Sequence, residues 1–220
     1  TLHSGYRVQR IARGPAGSTG WRVDDAPFDA VVLATTSTEA ARLVLTAQTA
    51  HPTLQGPEAA ALQAWARKAQ ALRFTAIATV YAQTSALPQG TVLSQPMLAL
   101  RPGAGKPAQF VFDRMQLGGP AGLLAFVVSA SEGDRATLER EVLQQAQDQL
   151  GLQGLRIVQT VVEKRATFAC TPALQRPPQT VANGLCACGD YVEGPYPATL
   201  EGAVLSGTAA AGTPVAATMA

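Results

Sequence analysis

An α+β fold with a mostly antiparallel central sheet and flanking helices is what this sequence predicts, on three observations. Strand-like runs follow one another in mid-chain, "FTAIATVYAQ", "PMLALRP", "AQFVFDR" and "LLAFVVSA", with Gly/Pro loops between them. Two other stretches, 57–72 and 134–150, carry apolar side chains at helical spacing. The first forty residues and the last fifty differ in character from this middle. The pattern suits two parts, with both chain ends in one and the middle in the other.

The elements follow in order. "GYRVQRIARG" is a first strand, followed by a Gly/Pro/Ser turn region; "GWRVDD" is a second and the apolar "FDAVVLATT" a third. "STEAARLVL" predicts a short helix capped by Ser37 or Thr38. Pro57 suits the first turn of the next helix, whose Leu62, Trp65, Ala69 and Leu72 share one face, so Trp65 reads as core. In the 134–150 helix Asp134 is the expected cap, with Leu138, Val142, Ala146 and Leu150 on its stripe. "LRIVQTVVEKRATF" returns as a long strand, and a loop around Pro177 and Pro178 leads to a closing strand and helix.

Composition removes several classes of function. Of 220 residues, 47% are hydrophobic, enough for a sizeable core, and the net charge is only +2 with no Lys/Arg cluster, so no nucleic-acid footprint is indicated. No apolar run is long enough to cross a bilayer as a helix. Three cysteines, Cys170, Cys186 and Cys188, form no disulfide framework and lack the second ligand pair of a zinc site, so no metal is expected. The expectation is a cytoplasmic protein with reduced thiols. His3 and His51 sit in terminal or turn-like contexts without a nucleophile beside them, and surface histidines are the default reading. "RPGAGKPAQ" lacks the third glycine of a dinucleotide motif and the first of a phosphate loop, so it reads as a turn. Thr1 and its neighbours read as the middle of a strand, which suggests a fragment.

The chemistry concentrates in "LCACGDYVEGPYPATLEGAVLSGTAAA", residues 185–211. A strand ending in Gly189-Asp190 puts a carboxylate at its carboxyl edge, where ligands of open α/β sheets commonly sit. Pro197 can open a helix, leaving the N–H groups of Ala198, Thr199 and Leu200 at the positive end of the helix dipole, which favours an anion or an electron-rich carbonyl. Gly202, Ser206 and Ala210 fall four apart, with Ala203 and Gly207 beside them, a face that permits close approach by a backbone or a flat ligand. A helix packed tightly on a sheet explains the same face. Lys164 and Arg165, with Glu163, lie at a strand end. A cation there could stabilise developing negative charge, although a solvated strand end with local ion pairs is the simpler reading.

"GDYVEGPYPATLEGAVLSGTAAA" resembles the carboxy-terminal flavin motif of the amine oxidase and phytoene desaturase superfamily. Together with "EKRATFACTPALQRP", residues 163–177, it is similar to the squalene-associated FAD-dependent desaturases, or hydroxysqualene dehydroxylases, of hopanoid biosynthesis. The resemblance implies FAD as cofactor, with Gly189 and Asp190 at the ribityl chain, and Pro197, Ala198, Thr199, Leu200 and Ala203 bringing a helix N-terminus to the isoalloxazine. It implies an FAD-binding domain over 1–36 and 171–220, lacking its dinucleotide motif, and a substrate-binding domain over 37–170. The implied partner is an apolar isoprenoid, with peripheral contact at the inner membrane left open. The alternatives are a related flavin desaturase or amine oxidase, or a non-catalytic lipid-binding module.

Overall fold

The computed structural model describes residues 1–15, 20–49, 56–84 and 91–212, so His51 and part of the first turn region lie outside the described residues. The chain divides into two compact units, residues 1–73 with 168–220, and residues 74–167.

The first unit holds two three-stranded sheets. β1 (Ile11–Arg13), β2 (Trp21–Val23) and β3 (Ala26–Phe28) form an antiparallel meander. β1 is shorter than the sequence suggests because Gln9 and Arg10 give their N–H groups to the Asp24 carboxylate, at 3.1 and 3.0 Å, instead of to a strand. The run "FDAVVLATT" is divided: Phe28 ends the meander, and Val31–Leu33 forms β4 of another sheet. There β4 pairs in parallel with β11 (Leu185–Ala187), and β11 pairs antiparallel with β10 (Thr180–Ala182). Two helices complete the unit, α1 (Ser37–Thr49) and α2 (Pro57–Ala71). The cap of α1 is Thr36, whose Oγ1 accepts the Glu39 N–H at 3.4 Å; Ser37 is already helical. In α2 Pro57 occupies the first turn, and Leu62, Trp65 and Ala69 are buried. Trp65 is core, with its indole N–H on the Pro178 carbonyl at 2.7 Å.

Residues 37–73 therefore belong with the chain ends and not with the middle. The expected boundary at 36/37 fails because α1 packs on β1 and α2 packs on α1 and β10. Arg13 reinforces this arrangement: it bonds Glu58 of α2 and the Asn183 carbonyl, and lies over the Trp21 ring at 4.5 Å.

The second unit is the five-stranded sheet, ordered β6 (Met97–Ala99), β7 (Phe110–Asp113), β8 (Leu123–Ser129), β5 (Phe74–Gln83), β9 (Arg156–Phe168). The pairs β6–β7, β7–β8 and β8–β5 are antiparallel. Alternation gives it two faces. Ala78, Val80, Val111, Leu124, Phe126 and Val128 pack with Leu138, Val142 and Ala146 of α3 (Arg135–Leu150) into one core. α3 opens on Asp134, whose carboxylate accepts the Thr137 N–H at 2.9 Å, and closes on left-handed Gly151. "RPGAGKPAQ" is a tight turn, closed by reciprocal Gly103–Lys106 backbone bonds of 2.9 Å.

Candidate functional site

The closing segment of the first unit gathers the predicted site residues. β11 delivers Cys188, then Gly189 and Asp190. A loop runs to Thr199, and α4 (Leu200–Gly212) follows. Gly189 has φ +155°, and a Cβ there would lie 2.6 Å from the Tyr191 ring, so only glycine lets that ring fold back. The Ala198 N–H bonds the Asp190 carbonyl at 3.2 Å and closes the loop on itself.

The helix begins three residues later than the sequence suggests. Ala198 takes a left-handed φ of +58°, so Pro197 cannot be the first helical residue and lies in the loop. The Ala198 N–H is spent on Asp190 and does not face outward. Thr199 is the cap: its Oγ1 accepts the Gly202 N–H at 3.0 Å and donates to the Tyr196 carbonyl at 2.9 Å. Among the described residues the N–H groups of Leu200 and Glu201 have no partner, as expected for a helix start. Leu200 itself is 87% exposed.

The small residues of α4 have separate reasons. A Cβ on Gly202 would stand 2.0 Å from the Tyr196 carbonyl oxygen, so the close approach there is made by the chain's own loop. Ser206 is buried, and its hydroxyl accepts the Gly189 N–H at 2.9 Å and lies 3.0 Å from the Gly189 carbonyl, locking the peptide before Asp190 to the helix. Ala210 is buried, whereas Ala203 is half-buried and a Cβ on Gly207 would meet nothing within 4 Å.

Between loop and helix lies a cavity of about 210 Å³, with Arg176, Gln179, Asp190, Tyr196, Gly202 and Ser206 among its walls. The half-buried Asp190 carboxylate accepts no hydrogen bond from another described residue. Burial pushes it above the usual carboxylate range, with its own N–H and the charge of Arg176 opposing in part. Tyr191 is buried, its hydroxyl has no described partner, and burial pushes the phenol well up. This set can accept hydrogen bonds from ligand hydroxyls at Asp190 and offer N–H donors at Leu200 and Glu201.

Sequence reasoning missed Arg176 and the roles of Ser206 and Thr199. Arg176 sits in a proline-flanked loop, and no local signal marks which carbonyls it will reach. Lys164 and Arg165 lie in the other unit, exposed on β9, and neither makes an ion pair among the described residues. Cys186 and Cys188 are free thiols whose acidity burial weakens, and the described residues contain no metal-binding cluster.

In the second unit, the sheet face opposite α3 stays apolar and partly open. Register places Met97 beside Phe112, Phe110 beside Val127, and Ala125 beside Tyr81. Met97 and Phe110 are exposed, Phe112, Val127 and Tyr81 half-buried. No described helix is long and apolar enough to cross a membrane.

Compared with known families, residues 1–213 match the flavin containing amine oxidoreductases. The chain belongs to that family. Being flavin-containing, the family is consistent with FAD as cofactor. An oxidoreductase from Methanosarcina mazei shares the fold with a TM-score of 0.61 at 16% identity, over 93% of this chain and 48% of that one. A provisionally named protoporphyrinogen oxidase from Exiguobacterium sp. 255-15 does so at 0.52 and 15%, over 92% and 46%. This chain thus spans about half the length of those two proteins. No curated protein matches the sequence.

Proposed function

We propose that this family member holds FAD through the 189–202 segment and acts on a long apolar isoprenoid such as hydroxysqualene, in hopanoid biosynthesis. The observation that carries the cofactor reading is Asp190: a half-buried carboxylate, raised by burial and without a hydrogen-bond donor from another described residue, on the wall of a cavity beside a helix N-terminus. Such a group is an acceptor awaiting a donor, and the ribityl hydroxyls of a flavin are donors of that kind. Leu200 and Glu201 would offer N–H groups to an electron-rich carbonyl edge, with Gly189 and Gly202 letting the loop lie close.

FAD, when bound, supplies the two-electron chemistry by which an alcohol carbon loses its hydroxyl as water and gains hydrogen, the reductant coming from an external donor. The protein's part is to bind, orient and exclude water. The apolar sheet face of Met97, Phe110, Phe112 and Val127 supports an extended hydrocarbon substrate. Such a substrate favours a cytoplasmic protein working at the surface of the inner membrane. Lys164 and Arg165 are held as candidates only for neutralising charge at a substrate hydroxyl.

The test is to load the full-length protein with FAD and incubate it anaerobically with a chemical reductant and hydroxysqualene, reading products by mass spectrometry. Loss of the hydroxyl is expected. Oxidation of an amine, or introduction of a double bond into a hydrocarbon, would give the site to a related flavin oxidase or desaturase. A colourless protein that retains lipid would make it a carrier.

A further inference from the structure

We propose that Arg176 is a positioning residue for the flavin, acting through the Asp190 loop and not by contact with substrate. This rests on the flavin reading above. Arg176 reaches across from the segment after β9 and donates to two carbonyls of the loop, Val192 at 2.6 Å and Gly194. The adjoining Pro177 carbonyl accepts the Glu193 N–H at 2.9 Å, so a second strut stands beside the first. Inside a loop already closed by Ala198 on Asp190, these bonds fix the backbone between the carboxylate and the helix start. Ser206 fixes the other side through Gly189.

Among the described residues Arg176 is also the one cation lining the cavity. It forms no ion pair with Asp190 but its charge favours the ionised carboxylate. The other titratable groups around Asp190 are Tyr191, Glu193 and Tyr196 of the loop and Cys188 just after β11; α4 brings the Ser206 hydroxyl and no charge to the cavity. A guanidinium suits both tasks, since its planar fork serves two carbonyls at once while its charge persists at every working pH. A lysine would keep the charge and lose one of the two bonds.

The test uses Arg176→Met, Arg176→Lys, Asp190→Asn and the double variant that combines Arg176→Met with Asp190→Asn. FAD affinity is read by flavin fluorescence, the Asp190 carboxyl titration by carbon NMR on the flavin-free chain, and folding by thermal melt. Arg176→Met should weaken FAD about tenfold or more, and raise the Asp190 midpoint, because a favourable charge is gone while burial remains. Arg176→Lys should recover most of the affinity. Arg176→Met should matter far less when Asp190→Asn is already in place. Wild-type affinity in Arg176→Met, an Asp190 midpoint that Arg176→Met leaves unmoved, or an undiminished effect in the double variant would each overturn the proposal. If Asp190→Asn weakens FAD and Arg176→Met does not, only the role of Arg176 falls. If Asp190→Asn itself leaves FAD affinity unchanged, the flavin reading falls, and this proposal with it.

Discussion

Two aspartates, one in each unit, sit in opposite electrostatic circumstances. Asp113, at the end of β7, is completely buried. Burial alone would raise its carboxyl, yet it lies below the usual carboxylate range, held there by the Leu93 N–H, the Gln116 amide, and the Val92 and Met115 N–H groups at 2.8–3.1 Å. Asp190 is less buried and is nevertheless raised, because no other described residue donates to it. The more buried carboxylate is the more acidic one. Depth does not decide which of two carboxylates is the more acidic; the supply of donors does.

The largest effect should come from breaking the satisfied member. Asp113→Ala leaves the buried Leu93 N–H and the part-buried Val92 and Met115 N–H groups without their acceptor, at about 1–3 kcal/mol for a fully buried donor and less for the others, and should cost about 2–5 kcal/mol by urea melts. Since the folded pKa lies below the unfolded value of about 4, the contribution of Asp113 is present at neutral pH and lost as pH falls through the folded pKa. The acid sensitivity of the variant should be correspondingly flatter than that of the wild type.

The closing helix sharpens the comparison at its two glycines. Gly202→Ala drives a methyl into the Tyr196 carbonyl and should cost about 1–3 kcal/mol, as overpacking does. Gly207→Ala meets nothing and should stabilise by up to about 1 kcal/mol through helix propensity. Equal losses at both would mean that the helix packs uniformly and that the Tyr196 contact is unimportant. Thr199→Ala removes the cap of α4 and should cost about 1 kcal/mol in the same melts.

The smallest effect tests the unsatisfied member. Asp190 has a raised folded pKa, so its ionisation opposes folding: the penalty is absent below the unfolded value of about 4 and complete once pH exceeds the folded pKa. Asp190→Asn should therefore raise the melting temperature slightly at neutral pH in the flavin-free protein, with no gain in acid. A drop at neutral pH would show that the carboxylate already has a partner and would erase the contrast with Asp113.

What was legible in the sequence follows the range of the interactions. Asp134 was readable as a cap because its acceptor role is completed three residues away, at Thr137, and the α2 stripe because it repeats within one helix. The strand–loop–helix arrangement around Gly189-Asp190 was readable from a local pattern. The start of α4 was not, because the left-handed turn at Ala198 is stabilised by the Asp190 carbonyl, a partner whose involvement spacing does not reveal. The domain boundary failed for the same reason: what places α1 and α2 is their packing on β1 and β10. β10 was missed because three residues after a proline-rich loop carry too little alternation to count.

The parallel pairing of β4 with β11 has a consequence in time. The second unit is one continuous stretch of chain, and every strand it needs has been synthesised once β9 is complete. The first unit contains the chain's beginning but lacks its middle sheet until Leu185–Ala187 arrives to lie beside Val31–Leu33. At about 5–20 residues per second, that is a wait of many seconds with the edge of β4 unpaired. The later-encoded unit should thus be the first to fold, and the earlier one the first to need a chaperone.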